Sequence, residues 1–370
     1  MSVQVPKPDH CIDLGVGQPD PALLPTALFS DLAVGWQDLA YGEHAGDRGF
    51  RQHLAHWLSG EYQTPVEPQQ LFVTTGSSGG LDMICSRLAR PGDVVLVEEP
   101  SYFLALMQLV EHGLKPVAVP MDRDGLEPAA LEQAIRQHRP AFIYSIPTYH
   151  NPTGITQPRA RREALVALAR QYDCPLVADE VYQCLYFAEP PPPPLACFDP
   201  QAPVLSIGSF SKILAPGLRL GWLHGSGEVL GRLLGSALLK SGGGLAPVTS
   251  ALVNPLIEQG ALQSYIAGLR QTFRARRDCL HDSLSAALGG QLELNRPDGG
   301  YFLWAHLRDG RDIRAHEPRC RALGVAVKAG PLFSVRGGFT SSLRLCFAWY
   351  DEAQLRAGAE RLARALDGGC

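Results

Sequence analysis

From about residue 71 onward, short β-rich runs alternate with stretches of helical periodicity, and this alternation restricts the fold more than any other feature. Strands separated by helices pair in parallel, with the helices laid over the sheet. LFVTT (71–75) leads into GSSGG (76–80) and an apolar-periodic helix near 80–90 that Pro91, Gly92 and Asp93 close. VVLVEEP (94–100), KPVAVP (115–120) and AFIYSIP (141–147) repeat the strand pattern. CPLVADE (174–180), APVLSIG (202–208) and LRLGWL (218–223) bring the strand runs to seven. The expectation is an α/β core around a mostly parallel sheet.

After residue 260 the texture changes. A long Arg-rich helix near 261–287 is followed by strands near 291–295, 301–305, 325–328 and 342–348, and DEAQLRAGAERLARAL closes the pattern with apolar residues at helical spacing. This reads as a second, smaller α+β unit, and 370 residues are enough for two or more packed units. Gly 38 and Pro 30, without a G-X-Y period, place the excess in turns and close backbone approaches. Five prolines, Pro190 to Pro194, should form a stiff, extended surface loop.

Charge and cysteine usage exclude several classes. With 33 basic against 37 acidic residues the net charge is -4, which gives no attraction to nucleic acid or anionic membranes. No run of 18 apolar residues occurs, and MSVQVPKPDH lacks the apolar stretch of a signal peptide, so a soluble, cytoplasmic chain is expected. Nine cysteines without a CxxC suit neither a disulfide framework nor a zinc site. His53 and His56 stand at i, i+3 without a third ligand, so no metal centre is expected.

Only five lysines occur, at 7, 115, 212, 240 and 328, so a lysine kept for its chemistry stands out. Lys212 lies in GSFSKILAPGLRLGW, between Ser209 and Ser211 and a Pro-Gly turn, with Arg219 seven positions on. An amine, unlike a guanidinium, can lose a proton when desolvated and form a Schiff base. A loop lysine on the surface is the plain alternative. ADEVY sets Asp179 and Tyr182 at the end of a buried strand, where α/β sheets bind ligands, although a carboxylate there can also cap a helix. In SIPTYHNPTG, the turn holding His150, Asn151 and Gly154 leaves the sheet at the same edge. TTGSSGG offers Ser77 and Ser78, free N–H groups and the positive end of a helix to a phosphate. The same residues spell GxSxG, a hydrolase elbow, but no HGG loop precedes it. GVGQPD has Asp20 where a dinucleotide fingerprint needs glycine.

In this order the motifs, from LGVGQPDP and LAYGEHAGDRGFRQHL through EEPSYF to GPLFS and SSLRLCFA, resemble the class I/II aminotransferases of pyridoxal-phosphate fold type I. The late block is most similar to the branch of kynurenine and 2-aminoadipate aminotransferases and of MocR-type regulator domains. The resemblance implies a large cofactor-binding domain over 41–260 with a mostly parallel seven-stranded sheet. Residues 1–40, an N-terminal arm, and 261–370 would form the smaller α+β domain. It also implies pyridoxal 5'-phosphate as cofactor, held by Lys212 as a Schiff base, with Lys212 as general base and acid. Asp179 would pair with the pyridine nitrogen, Asn151 and Tyr182 with the phenolic oxygen, and Tyr102 would stack on the ring. Ser77, Ser78, Ser209, Ser211 and Arg219 would hold the phosphate, joined by Tyr41 from the neighbouring subunit of a homodimer with shared sites. Arg344, with Gly17 and Asn151 assisting, would clamp the α-carboxylate of an amino acid or 2-oxo acid.

Two positions depart from the family pattern: Gly79 follows Ser78 where relatives often carry a longer polar side chain, and SGGGL (241–245) leaves a glycine loop beside the specificity region. The same scaffold could run a lyase or decarboxylase reaction. A non-enzymatic, ligand-sensing domain would carry a DNA-binding module, and the roughly forty residues before YGEHAG contain no helix-turn-helix or basic stretch.

Overall fold

The computed structural model describes residues 10–30 and 32–367; Lys7 and Cys370 lie outside the described residues. The first strand is short, β1 (Ile12–Asp13). There follow β2 (Leu71–Thr74), β3 (Val94–Glu99), β4 (Lys115–Asp122), β5 (Gly125–Leu126), β6 (Phe142–Ser145), β7 (Leu176–Asp179), β8 (Val204–Ser209) and β9 (Gly221–Gly225). These eight, β2 to β9, make one sheet in the order β2-β9-β8-β7-β6-β3-β4-β5. β4, β3, β6, β7 and β8 pair in parallel, whereas β9 runs antiparallel between β8 and β2. The seven strand runs of the sequence are all present. The eighth strand, β5, is a two-residue hairpin return on β4, too short to leave a periodic signal.

β6, β7 and β8 are buried along their whole length, as a parallel sheet covered on both faces requires. Their carboxyl ends, with those of β2 and β3, lie at one edge. Because β9 runs the other way, its first residue also reaches that edge, where Gly221 pairs with both Thr74 and Ser209. Six chain segments therefore emerge side by side. Three helices matter for what they carry: α1 (Arg48–Tyr62), capped by Asp47 onto Phe50 N, α2 (Gly76–Leu88) and α3 (Phe103–Glu111).

The second sheet contains β10 (Leu292–Leu294), β11 (Phe302–Leu307), β13 (Lys328–Ala329) and β14 (Ser342–Cys346), ordered β10-β11-β14-β13 and antiparallel throughout. Strand alternation sends Leu303, Ala305, Leu307, Leu343 and Leu345 into a core shared with the helices Ala261–Leu288 and Glu352–Leu366. Phe302, Trp304, Arg344 and Cys346 take the opposite face. The expected strand 325–328 is split: β12 (Val325–Ala326) leaves this sheet to pair in parallel with β1. Leu14 extends that tie through Leu14 N to Ala326 O at 2.8 Å and Cys346 N to Leu14 O at 2.6 Å. The N-terminal segment is thus fastened to the second sheet.

Two further expectations change. LRLGWL does not begin a strand at 218, because Arg219 takes a left-handed conformation (φ +47°) that stops extension until Gly221. The Pro190–Pro194 run is largely half-buried instead of riding on the surface. Prolines cannot donate but their carbonyls accept, and those of Pro192 and Pro193 receive Gln183 Nε2 and the buried Arg162 Nη1. Among the described residues no helix is long and apolar enough to cross a membrane.

Candidate active site

Directly after β2, α2 opens at Gly76, and its N-cap residue Thr75 makes no side-chain capping bond. The first-turn N–H groups are therefore free to receive an anion at the positive end of the helix. Gly76 has φ +77°, and a Cβ there would stand 2.9 Å from Arg219 Nη2, so the guanidinium lies over the helix start. Arg219 Nη1 also approaches Ser211 Oγ at 3.5 Å, and Ser211 N donates to Ser209 Oγ at 3.1 Å. Ser77 is half-buried and Ser78 exposed in the same first turn. A Cβ at Gly79 would meet Thr75 Oγ1 at 2.1 Å, so a side chain there would require the Thr75 hydroxyl to turn away. Helix dipole, guanidinium and hydroxyls together make a cradle for a phosphate-like dianion.

Lys212 follows β8 by three residues. Its Nζ donates to Gly17 O at 3.2 Å and lies 5.6 Å from the ring centre of Tyr301, whose hydroxyl donates to Lys212 O. Burial lowers the amine's pKa to about 8. Cys346 and Asp179 pull it up, while the cations Arg344 and Arg219 push it down. A substantial neutral fraction near physiological pH makes this amine a usable nucleophile and base.

Asp179 ends β7. Its Oδ2 accepts from Tyr144 OH at 2.7 Å, whereas its Oδ1 is buried without a hydrogen-bond partner. Burial raises the carboxyl's pKa, opposed by Tyr144, the Val181 N–H and Lys212. An unpartnered buried carboxylate oxygen is costly, and a cationic N–H donor beside it removes that cost. Tyr102 forms the N-cap of α3; burial, then Asp179, pushes its phenol up to about 12. Tyr182 is buried against Tyr301 and edge-on to Phe302 at 5.9 Å, and burial raises its pKa well above the usual range.

Arg344 is 2% exposed. Its Nη1 donates to Asn151 Oδ1 and its Nη2 to Gly15 O, both at 2.8 Å, while Nε is buried without a partner. Phe302 lies 4.0 Å from the guanidinium carbon, Phe333 5.0 Å and Phe103 5.9 Å. No carboxylate is among its partners in the described residues. Desolvation of an unpaired guanidinium lowers its pKa, and a carboxylate guest would restore its charge balance. A groove of about 630 Å³, lined in part by Asn295, Trp304, His306 and Phe339, continues along the same sheet face.

Lys212, Asp179, Arg344, Arg219, Tyr102 and Tyr182 thus share one electrostatic neighbourhood, reading one another's charge. Asn151 and Gly17 touch it directly, and the serines frame the phosphate cradle. Tyr41 does not join them: it is 88% exposed, and no hydrogen bond or ring contact ties it to the others among the described residues. His150 is fully buried beside Glu98 and Thr153, a structural histidine outside the cleft.

Several residues of this site had no advance signal. Tyr144 could have been suspected, since a phenol in a buried strand must find a partner, but which partner depends on the adjacency of β6 and β7. Gly15, whose carbonyl accepts from Arg344 Nη2, is one such residue. Phe103, Phe302 and Phe333 read as ordinary core residues.

Comparison with known proteins agrees with this geometry. A family model, "Aminotransferase class I and II", matches residues 9–362. The chain is 30% identical over 368 residues to aromatic-amino-acid aminotransferase 1 of Thermococcus litoralis, covering 96% of this chain and 88% of that one. It is 30% identical to 2-aminoadipate transaminase of Thermus thermophilus, covering 95% and 89%. The crystal structure of Pyrococcus horikoshii kynurenine aminotransferase, in complex with PMP, superposes with a TM-score of 0.89 at 28% identity, covering 97% and 91%.

Proposed function

Because the chain belongs to the class I and II aminotransferases, which work with pyridoxal 5'-phosphate, we propose that it moves an amino group from an L-amino acid to a 2-oxo acid with Lys212, Asp179 and Arg344 as its working groups. The observation that carries this reading is the set of unfilled valences: a lysine with a lowered pKa, a buried Asp179 oxygen without a donor and a buried Arg344 without a carboxylate.

The residues suit the cofactor. Asp179 Oδ1 can accept the pyridine N–H, the start of α2 with Ser77, Ser78, Ser209, Ser211 and Arg219 can receive the phosphate, and Lys212 can hold the aldehyde carbon. Asn151 and Tyr182 are assigned to the phenolic oxygen and Tyr102 to the ring face. When bound, the cofactor supplies an electron sink for the pair left at substrate Cα. Arg344 would bind and orient the α-carboxylate. Lys212 Nζ, as a free amine, would take the proton from substrate Cα and later return it. Phe103, Phe302 and Phe333 keep water from the guanidinium, which strengthens its grip on the carboxylate.

We assign 41–260 to cofactor binding and 1–40 with 261–370 to the smaller unit; the pairing of β1 with β12 supports that grouping. We also assign a homodimer, with Tyr41 reaching the partner's phosphate. Its support is the apolar exposure around it: Trp36 is 76% and Leu39 72% exposed, more than a lone monomer usually leaves in so short a segment. A reducing, cytoplasmic location accords with the unpaired state of every described cysteine.

The test is amino exchange. Cofactor-loaded protein incubated with an L-amino acid and 2-oxoglutarate or pyruvate should yield the new amino acid and 2-oxo acid in equal amounts. Release of ammonia or carbon dioxide without amino exchange would overturn the reading in favour of a lyase or decarboxylase.

A further inference from the structure

One amide side chain ties the second sheet to the turn that carries Asn151. Asn295 follows β10 by one residue and is half-buried. Its Oδ1 accepts from Trp304 N at 2.7 Å and its own N donates to Trp304 O at 3.3 Å, which carries the β10–β11 pairing one step past Leu294. Its Nδ2 donates to Thr153 O at 2.6 Å, in the turn beyond β6. Gly154 fits against this contact because it lacks a Cβ. Its φ is +72°, and a Cβ there would stand 2.5 Å from Asn295 Nδ2 and 3.1 Å from Pro297 Cβ.

The two ends of this bridge lie beside the two halves of the pair assigned to the α-carboxylate. Thr153 is two residues from Asn151, and Gly154 N donates to His150 O at 2.6 Å, closing the turn around Asn151. Trp304 faces Arg344 across the β11–β14 pair. Arg344 Nη1 in turn donates to Asn151 Oδ1 at 2.8 Å. Asn295, Thr153, Asn151, Arg344 and Trp304 therefore form a closed circuit that spans both sheets. Each link limits how far the others can drift, so Asn151 and Arg344 keep their spacing before a guest arrives. A site already held in its bound geometry loses less free energy to ordering when it binds.

We propose that Asn295 is a positioning residue for the substrate α-carboxylate: by fastening Thr153 to β11 it holds Asn151 against Arg344, and so presets the pair that receives the carboxylate. Asn295 acts through the backbone, since its side-chain bonds go to Thr153 O and Trp304 N. Its effect should therefore follow the carboxylate of the ligand and not the side chain.

The inference rests on the reading of Arg344 and Asn151 as the carboxylate site, so its test separates the two. Holoenzyme is titrated with L-leucine and with 3-methylbutylamine, the same molecule without its carboxylate, following the cofactor's absorption in the absence of 2-oxo acid. Two variants divide the bridge. Asn295→Asp keeps the acceptor for Trp304 N and loses the donor to Thr153 O, whereas Asn295→Leu loses both without adding charge. Each should raise Kd for leucine about fivefold, as loss of one neutral hydrogen bond would. Binding of 3-methylbutylamine should change by less than about twofold, which also reports intact folding and cofactor loading. In leucine–2-oxoglutarate exchange the KM values for both substrates should rise together, with kcat held within about twofold. Asn151→Ala should weaken leucine binding by itself, and adding Asn295→Leu should then change it no further, because the bridge has no amide left to hold. Equal losses for leucine and the amine, a loss in Asn295→Leu alone, no loss in either variant, or additive effects in the double variant would overturn the inference and leave the carboxylate site standing. Unmodified holoenzyme that binds leucine no better than 3-methylbutylamine would overturn the carboxylate site itself, and the inference with it.

Discussion

Two buried arginines, one behind the sheet edge and one in front of it, differ in how completely they are satisfied. Arg162 is 0% exposed and uses all five N–H donors: Nε on Gln157 O, Nη1 on Glu180 and Pro193 O, Nη2 on Pro147 O and Thr148 Oγ1. Arg344 is almost as buried, yet it has no carboxylate, and its Nε has no partner. The acids repeat the contrast. Glu98 receives Ser145 Oγ, Gln157 Nε2 and Ile146 N, whereas Asp179, two strands away at the same edge, leaves one oxygen bare. Arg162 and Glu98 are satisfied within the chain, whereas Arg344 and Asp179 each keep a polar atom open toward the site.

The contrast breaks most clearly in stability. Arg162→Met strands Glu180 in the interior and should cost about 3–5 kcal/mol in denaturant unfolding of the cofactor-free protein. Arg344→Met strands only two neutral acceptors, Asn151 Oδ1 and Gly15 O, and should cost about 1–2 kcal/mol. Equal losses would erase the distinction. In catalysis the order inverts: Arg344→Lys keeps the charge but loses the fork, and kcat/KM for amino donors should drop on the order of a hundredfold with cofactor affinity unchanged. Tyr144→Phe removes the side-chain bond to Asp179 Oδ2 and raises that carboxyl's pKa further, so titration should find cofactor affinity about tenfold weaker.

The smallest effect concerns pH. With its pKa lowered to about 8, Lys212 is mostly protonated at pH 7 and half neutral at pH 8. The neutral amine is the reactive form, so the rate of cofactor attachment to cofactor-free protein should rise about fivefold between these values and level off above pH 9. A lysine kept in water would instead continue rising toward pH 10.

The sequence announced the edge but not its wiring. Alternation of strands and helices located the carboxyl ends, and residue types near those ends pointed to Lys212, Asp179, Asn151 and Arg219, whereas Arg344, inside a strand of the second sheet, came only from the family resemblance. What stayed hidden depends on which strands are neighbours. Tyr144 meets Asp179 because β6 lies beside β7, and Glu98 meets Ser145 because β3 lies beside β6; neither adjacency is encoded locally. The split of 325–328 was hidden for the same reason, since β12 answers to β1, more than 300 residues away. Proline carbonyls accepting from Arg162 and Gln183 escaped notice because a proline run advertises what it cannot do, not what its oxygens can.

The central claim is that Lys212, alone among the four described lysines, is shaped to hold the cofactor. Reductive trapping of cofactor-loaded protein followed by peptide mass spectrometry reads this directly. The account predicts one modified site per chain, at Lys212, and none at Lys115, Lys240 or Lys328. Label distributed over the other lysines, or undiminished in Lys212→Ala, would contradict it.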